Sequence, residues 1–444
     1  PEHPDQVAAL CLELARRRPD PPEVVARAKA YKERAKKETA ERLAKNPPSK
    51  ADRFGASMLF DRGTLRPQFP DGPADRVDDA LQRAVLETCG LATLAPVRPE
   101  EAKELLLACS IEAPRYVRRD DLMSVRDRFG IEDIQGMYEP MYFRGPWLQL
   151  LRQNPTLGVD CIMRLVDHAT EQWELHELPP SLTDEQRAAA SMSLTTDGIQ
   201  RVWRGNMRTY GWHRERFCSA HLLSSALMAL ERYLYECLDQ DQPIDTVVSH
   251  ILTTGHSVAT LAVLVSVAKY KPELLTGCLK PLLAGWRLYG WDIQLVMDGD
   301  SWKFGLFKWA RSGEGMFNAA RDWHTMPHRK SHFREHALGL LLTHAETRDE
   351  YKPIRAAWQA ELESGSCADP WSLELLIARF DPDNYKAAPC GDGAYEIHLE
   401  WPDELKARTE ESTRKAQDGT RLITFPFRCR ELLEKGEPIS DEQA

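Results

Sequence analysis

The chain has 444 residues, of which 42% are hydrophobic, and a formal net charge of −10 at pH 7. At this length we expect two to four structural units, or one elongated array, rather than a single ordinary domain. The negative charge excludes binding of nucleic acid or anionic membrane through bulk electrostatics, so either partner would require a local basic patch.

From start to end, composition and periodicity predict five segments. They are N-terminal helices with a Pro/Gly-rich linker (1–75), a helical subdomain (76–190), a β-hairpin insertion (191–217), a central helical array (218–348) and C-terminal helices with a short strand-like segment (349–444). Because the sequence begins with Pro1 instead of methionine, we expect it to be a piece of a longer polypeptide.

Most of the chain has the apolar spacing of amphipathic helices. Stretches such as SAHLLSSALMALERYLYECLDQ (219–240) repeat apolar residues at i, i+3, i+4 and i+7, and short turns rich in Gly, Pro and Asp separate them. This pattern predicts a mainly α fold, an irregular α-solenoid or helical-repeat array, although no strict repeat period is present. Asp197-Gly198 within 191–205 predicts a β-hairpin, and 394–402 reads as a second strand-like stretch.

The cysteines and the apolar runs predict the compartment. None of the ten cysteines forms a C-x-x-C pair, and most lie among apolar neighbours, which favours buried, reduced thiols. The longest apolar run, in HSVATLAVLVSVAKY (256–270), is too short to span a bilayer, and no signal peptide is recognisable. We expect a soluble, cytoplasmic protein with no membrane partner.

A histidine-rich stretch, 324–344, raises the hypothesis of a metal site. His332, Glu335 and His336 match H-x-x-E-H, in which two imidazoles bind zinc and the glutamate activates water. This predicts zinc as a cofactor in one alternative function, a zinc-dependent hydrolase. Pro327 interrupts the helix, so the histidines of this stretch do not lie on one continuous helical face. A helical wheel places His344 in the apolar face, as a core histidine.

Other catalytic motifs are weaker. Ser257 lies in GHSVA, which approaches G-x-S-x-G, but the preceding residues are predicted to be helical and the second glycine is missing, so we place Ser257 at a helix start. Gly313 and Gly315 give an isolated G-x-G that opens a predicted helix. No P-loop motif is present, so this chain by itself is not expected to hydrolyse nucleotide.

Two stretches, 201–217 and 321–334, mix basic and aromatic residues. Such mixtures bind single-stranded nucleic acid or proteins, and they also occur where aromatic rings pack between helices. We predict a binding surface formed by Arg201, Trp203, Arg204, Trp212, Arg321, Trp323, His328 and Arg329. Its partner is a protein or a second copy of the chain, with nucleic acid as the alternative.

Several phrases, among them FRGPWLQLLRQNPTLGVDCIMRLVDHATEQW, VWRGNMRTYGWHR and ARDWHTMPHRK, resemble the helical region of large bacterial STAND or AAA-like P-loop NTPases of the antiphage-defence type. The resemblance spans about residues 130–435. It implies a non-catalytic helical scaffold or sensor segment that mediates recognition or oligomerisation for an NTPase module encoded elsewhere in the polypeptide. It carries no catalytic residue over to this chain.

Overall fold

The computed structural model describes residues 3–16, 18–19, 75–87, 90–111, 129–132, 139–177, 191–196, 198–215, 220–299, 313–365, 367, 369–391 and 394–415, with isolated positions between 26 and 41. The fold is mainly α-helical, as predicted, with small antiparallel hairpins. Two compact units make up the chain, Pro1–Ala337 and Leu338–Ala444. The solenoid arrangement and the five-segment division stay predictions.

The helices with described bounds that lie wholly within the first unit are numbered α1 to α12. They are α1 (Pro4–Ala15), α2 (Asp79–Glu87), α3 (Gly90–Leu94), α4 (Pro99–Ser110), α5 (Trp147–Gln153), α6 (Pro155–Glu177), α7 (Met207–Tyr210), α8 (His221–Asp239), α9 (Asp245–Thr254), α10 (Val258–Tyr270), α11 (Trp286–Asp298) and α12 (Glu314–His324). Short 3₁₀ helices cover Gly211–Arg214, Pro272–Thr276, Lys280–Ala284 and Pro327–Arg329. None of the described helices has the length and apolar character that crossing a membrane requires.

Helices α8 and α10 form the centre of the first unit. Helix α8 packs against α5, α6 and α10, and every residue of α10 from Val258 to Lys269 is buried. The sequence of α10 is apolar around its whole circumference, which is the composition of a helix enclosed by neighbours. This enclosure explains the long apolar run that the sequence shows there.

Two antiparallel strand pairs lie in the first unit. In one, β1 (Arg18–Pro19) pairs with β2 (Asp75–Arg76), far along the chain; the other is the predicted hairpin, which joins β3 (Met192–Thr196) to β4 (Ile199–Trp203). Thr196 lies opposite Ile199, so the turn has the two residues that the sequence predicted. Gly198 has φ +76°, a conformation that glycine adopts without strain.

The second unit contains α14 (Ala345–Glu363), α15 (Pro370–Arg379) and a helix over residues 403–415 (α16). Helix α13 (Phe333–Thr343) spans the division between the units. In this unit β5 (Tyr385–Gly391) pairs with β6 (Ala394–Leu399). The predicted strand-like stretch 394–402 is confirmed over Ala394–Leu399, which is β6, whereas residues 400–402 are not in a strand. Strand β5 was not predicted because YKAAPCG has no apolar alternation and contains a proline.

Candidate functional site

The histidine-rich stretch forms a junction between helices, as Pro327 predicted. Helix α12 ends at His324, a 3₁₀ turn follows, and α13 begins at Phe333. The core position predicted for His344 is wrong, because this residue is exposed. Helix α13 ends at Thr343, so the helical wheel no longer applies to His344, which sits at the start of α14.

A buried ion pair holds the 3₁₀ turn of this junction against α8. Arg329 Nη2 donates to Glu231 Oε1 at 2.7 Å, and their side chains are 1% and 0% exposed. The Tyr235 hydroxyl donates to the same carboxylate oxygen at 2.6 Å and lies 2.8 Å from His328 Nε2. Since the hydroxyl has one proton, His328 donates from Nε2 to Tyr235. Burial, reinforced by Arg329 and Arg214, lowers the pKa of His328 to about 3, so the imidazole is neutral.

A second buried ion pair holds the other end of the junction. Lys269 Nζ donates to Asp292 Oδ1 at 2.6 Å and to the backbone oxygen of Ser331 at 3.2 Å. The other oxygen of Asp292 accepts the Phe333 N–H at 2.7 Å, which satisfies one of the free amides at the start of α13. Burial lowers the pKa of Lys269 to about 8, and Asp292 opposes this shift.

These two pairs and their hydrogen-bonded neighbours make up what we call the buried network: Glu231, Tyr235, Lys269, Asp292, His328 and Arg329. Removing charges from water is expensive, and well-packed apolar residues often serve a fold as well or better. What the network provides is a single position for the junction, because each charged group has one complementary partner. The network is enclosed in the interior, so it acts by positioning and not by contact with a substrate.

The residues of the H-x-x-E-H motif have structural partners. Glu335 Oε2 accepts the backbone N–H of His332 at 3.2 Å, which is the reciprocal half of a capping box at the start of α13. His336 Nε2 lies 2.8 Å from Ser331 Oγ, and burial lowers its pKa. Among the described residues, no three His, Cys, Asp or Glu side chains lie close enough to hold a metal ion together. Zinc binding stays a prediction, and the geometry gives Glu335 the role of a helix cap.

Ser257 begins α10, as predicted. Its side chain is buried, accepts the Ala259 N–H at 3.2 Å and lies 2.7 Å from Thr170 Oγ1. A serine nucleophile must be exposed at a strained turn that follows a strand. Ser257 is a buried N-cap, and Gly313 likewise precedes α12 as its sequence pattern predicted.

The structure corrects the predicted binding surface. Five of its eight residues are buried: Trp203, Trp212, Trp323, His328 and Arg329. Trp212, for example, packs at 5.3 Å from the ring of Phe129 and 6.4 Å from that of Trp173. These side chains build the interior because large rings fill the space between helices and the buried carboxylate of Glu231 compensates Arg329.

The three remaining arginines differ in exposure and in their partners. Arg204 makes ion pairs with Glu171 and Glu174 on α6. Arg321 is exposed and pairs with its neighbour Asp322 at 3.1 Å. Arg201 is half-buried on β4, opposite Leu194. Two of the three guanidinium groups are therefore already matched by carboxylates, and nucleic-acid binding, the alternative partner, stays a prediction.

A different group of side chains, which the sequence did not single out, lies at the surface above the buried network. We call it the Tyr142 rim: Tyr142, Phe143, Arg152, Arg232 and Tyr270. All are half-exposed except Arg152, which is exposed.

The Tyr142 rim is joined to the buried network by ring contacts. The ring of Tyr142 lies 5.1 Å from that of Trp323, and Trp323 in turn lies beneath the Arg329 guanidinium at 4.2 Å. The ring of Tyr270 lies 5.1 Å from that of His328. The rim therefore rests on side chains whose positions the buried ion pairs fix.

Ion pairs also hold the arginine side chains of the rim in place. Arg232 and Arg152 both donate to Glu236, at 2.9 and 2.7 Å, and Arg232 lies 5.4 Å from the centre of the Tyr142 ring. These bonds lower the pKa of the Glu236 carboxyl against the opposing effect of burial, which is the largest contribution. The i, i+4 spacing of Arg232 and Glu236 was visible in the sequence, but nothing there placed Tyr142 beside it.

No protein-family model matches the sequence, and no curated protein matches it. The resemblance to the helical regions of large NTPases stays a prediction. The Tyr142 rim is an ordered surface rich in aromatic and arginine side chains, and the buried network lies beneath it.

Proposed function

We propose that this chain is a non-catalytic helical scaffold that recognises a partner protein through the Tyr142 rim. The observation that carries the proposal is the combination of half-exposed tyrosine, phenylalanine and arginine side chains on a rigid, salt-bridged support. Tyrosine and arginine are enriched among the residues that dominate protein–protein binding energy. Both present a large contact area and a hydrogen-bonding end.

Preorganisation favours binding at this rim. Binding loses conformational entropy for each flexible side chain that becomes immobilised, and this costs about 0.5–1.5 kcal/mol for a side chain with many rotamers. Arg232 is already held by Glu236 and by the Tyr142 ring. Much of this ordering is therefore complete before a partner arrives.

The wider assignment to an NTPase rests on the resemblance described above. The FRGPWL phrase contains Phe143 of the rim, and the HTMPHRK phrase contains His328 and Arg329 of the buried network. We propose that the scaffold serves a larger NTPase of the bacterial defence type. Ser257 and Glu335 were candidates for catalysis, but each caps the start of a helix. These structural roles support a non-catalytic scaffold.

Affinity capture tests recognition by the rim. The full chain is immobilised, proteins retained from a lysate of the source organism are identified, and the retained partner is purified to measure its Kd. Arg232→Ala is expected to weaken binding by about 2 kcal/mol or more, which is ~30-fold in Kd.

Arg408→Ala is the matched control for this experiment. Like Arg232, Arg408 pairs with a glutamate, Glu374, and stacks on an aromatic ring, that of Trp371 at 4.4 Å, but it belongs to the second unit. The control should bind as wild type does. Equal binding by Arg232→Ala and wild type would refute recognition at the rim, and steady ATP turnover by the purified chain would refute the non-catalytic assignment.

A further inference from the structure

The β5–β6 hairpin has one apolar and one polar face. On the first face, Ala387 lies opposite Ile397, and on the second, Lys386 lies opposite His398. Ala387 is exposed, and Ile397 is 51% exposed. A two-stranded hairpin is at best marginally stable without further contacts. The open apolar face and the short sheet therefore point to an additional strand.

Only one edge of this hairpin is suited to receive a strand. Glu400 N–H donates to Asn384 O at 2.7 Å. Because hydrogen bonding alternates along an antiparallel pair, His398 and Glu396 also direct their backbone groups toward β5. Ile397 and Leu399 then direct theirs toward the outer edge of β6. In the described part of the chain, β6 pairs with β5 alone.

The outer edge of β5 is protected. By the same alternation, Ala387 and Pro389 direct their backbone groups outward there, and proline has no N–H to donate. Lys386 also lies on this strand, and lysine and proline are the residues that natural edge strands use against pairing. The described part of β6 carries neither residue, which leaves its edge open.

We propose that β6 pairs in antiparallel orientation with β6 of a second copy of the chain, with Ile397 on the two-fold axis. In this register Glu396 lies opposite His398 of the second copy, and the reverse holds by symmetry. The outward backbone groups of Ile397 meet those of Ile397 of the second copy, so the ladder continues across the axis.

Charge selects this register over its neighbours. Outward residues must meet outward residues, so the nearest alternatives centre the axis on Glu396 or on His398. The first places Glu396 opposite Glu396 of the second copy. The second places Glu396 opposite Glu400 of the second copy. Like charges directly opposite each other destabilise a strand pair. Of these three registers, only the one centred on Ile397 keeps carboxylates from facing each other and places each Glu396 opposite an imidazole that can donate a hydrogen bond to it.

The product is a four-stranded sheet with Ile397 of both copies at the centre of its apolar face. The pairing goes beyond the proposed function, because it names a second copy of the chain as a partner. It uses no residue of the Tyr142 rim. A strand pair of this length buries little surface, so we expect a reversible, concentration-dependent dimer and not an obligate one.

Sedimentation equilibrium of the full chain over a range of concentrations tests the pairing. Wild type is expected to show a monomer–dimer equilibrium. Ile397→Pro removes the outward N–H of each copy, two hydrogen bonds per dimer, and should weaken association about tenfold or more. The matched control is Ala387→Pro, which removes the equivalent outward N–H from the protected edge and should leave association unchanged.

Charge exchange tests the register with variants of two exposed residues, Glu396 and His398, which lie 3.4 Å apart within one chain. Glu396→Lys should weaken the dimer because it places lysine opposite His398 of the second copy, and the double variant Glu396→Lys/His398→Glu should restore it. Wild type that stays monomeric at every concentration, an Ile397→Pro dimer as tight as wild type, or a Glu396→Lys dimer tighter than wild type would each overturn the proposal. Partner capture at Arg232 is measured separately, so failure of the dimer and failure of rim recognition are distinguishable.

Discussion

Replacing Glu231 by glutamine should destabilise the first unit strongly. The carboxylate is fully buried and lies 2.7 Å from Arg329, whose side chain is 1% exposed. Glutamine keeps the size of the side chain and an oxygen for the Tyr235 hydroxyl, but it removes the charge. A buried arginine without its carboxylate costs about 3–5 kcal/mol. Arg214, which donates to the backbone oxygen of Arg329 at 3.0 Å, adds a second positive charge to the same place.

Hydrogen exchange of peptides spanning residues 325–335, measured across a urea series, is a suitable assay. A local measurement is needed because the chain has two compact units and a single unfolding transition cannot be assumed. The control is Arg152→Ala, which breaks a pair to Glu236 whose arginine is 49% exposed. Pairs of that kind contribute about 0–1 kcal/mol.

A third variant separates charge burial from shape. Glu231→Leu/Arg329→Met removes both charges, and its opening free energy should recover most of the loss caused by Glu231→Gln, since apolar replacement of a whole buried pair is often neutral or stabilising. A loss below about 1 kcal/mol for Glu231→Gln, equal to that of the exposed control, would refute a desolvated pair. It would also contradict the role of the buried network in fixing the position of the junction.

Three further outcomes follow from the geometry. Since the pKa of His328 is lowered to about 3, the unfolded state binds more protons than the folded state between pH 6.5 and 3. The free energy of unfolding should therefore decrease as the pH is lowered through this range, and its slope with pH for His328→Gln should be smaller by about one proton, as measured by urea unfolding at several pH values. Glu335→Ala should destabilise α13 by roughly 1 kcal/mol through loss of the cap, as measured by urea unfolding; elemental analysis of wild type tests the zinc hypothesis, whose ligands are His332 and His336. Ser257 should not react with a fluorophosphonate probe because it is buried against Thr170, and labelling detected by mass spectrometry would contradict its role as an N-cap.

Local patterns in the sequence determined the helical class and several exact features of the backbone. The apolar run of α10, the β3–β4 hairpin and the helix break at Pro327 were all predicted and are all present. Each depends on neighbours within a few residues, through side-chain periodicity, positive φ or the missing N–H of proline. Such features are encoded where they occur.

Tertiary structure alone decided which aromatic and basic residues are exposed. Arg329 looked like a surface arginine because its buried partner, Glu231, lies 98 residues earlier in the chain. Tyr142 gained its neighbours in the same way, from α8 and α12. A sequence pattern records the chemistry of a side chain, but burial is set by what distant segments bring to it. Five of the eight residues of the predicted surface therefore lie in the interior, and the candidate site is the Tyr142 rim above them.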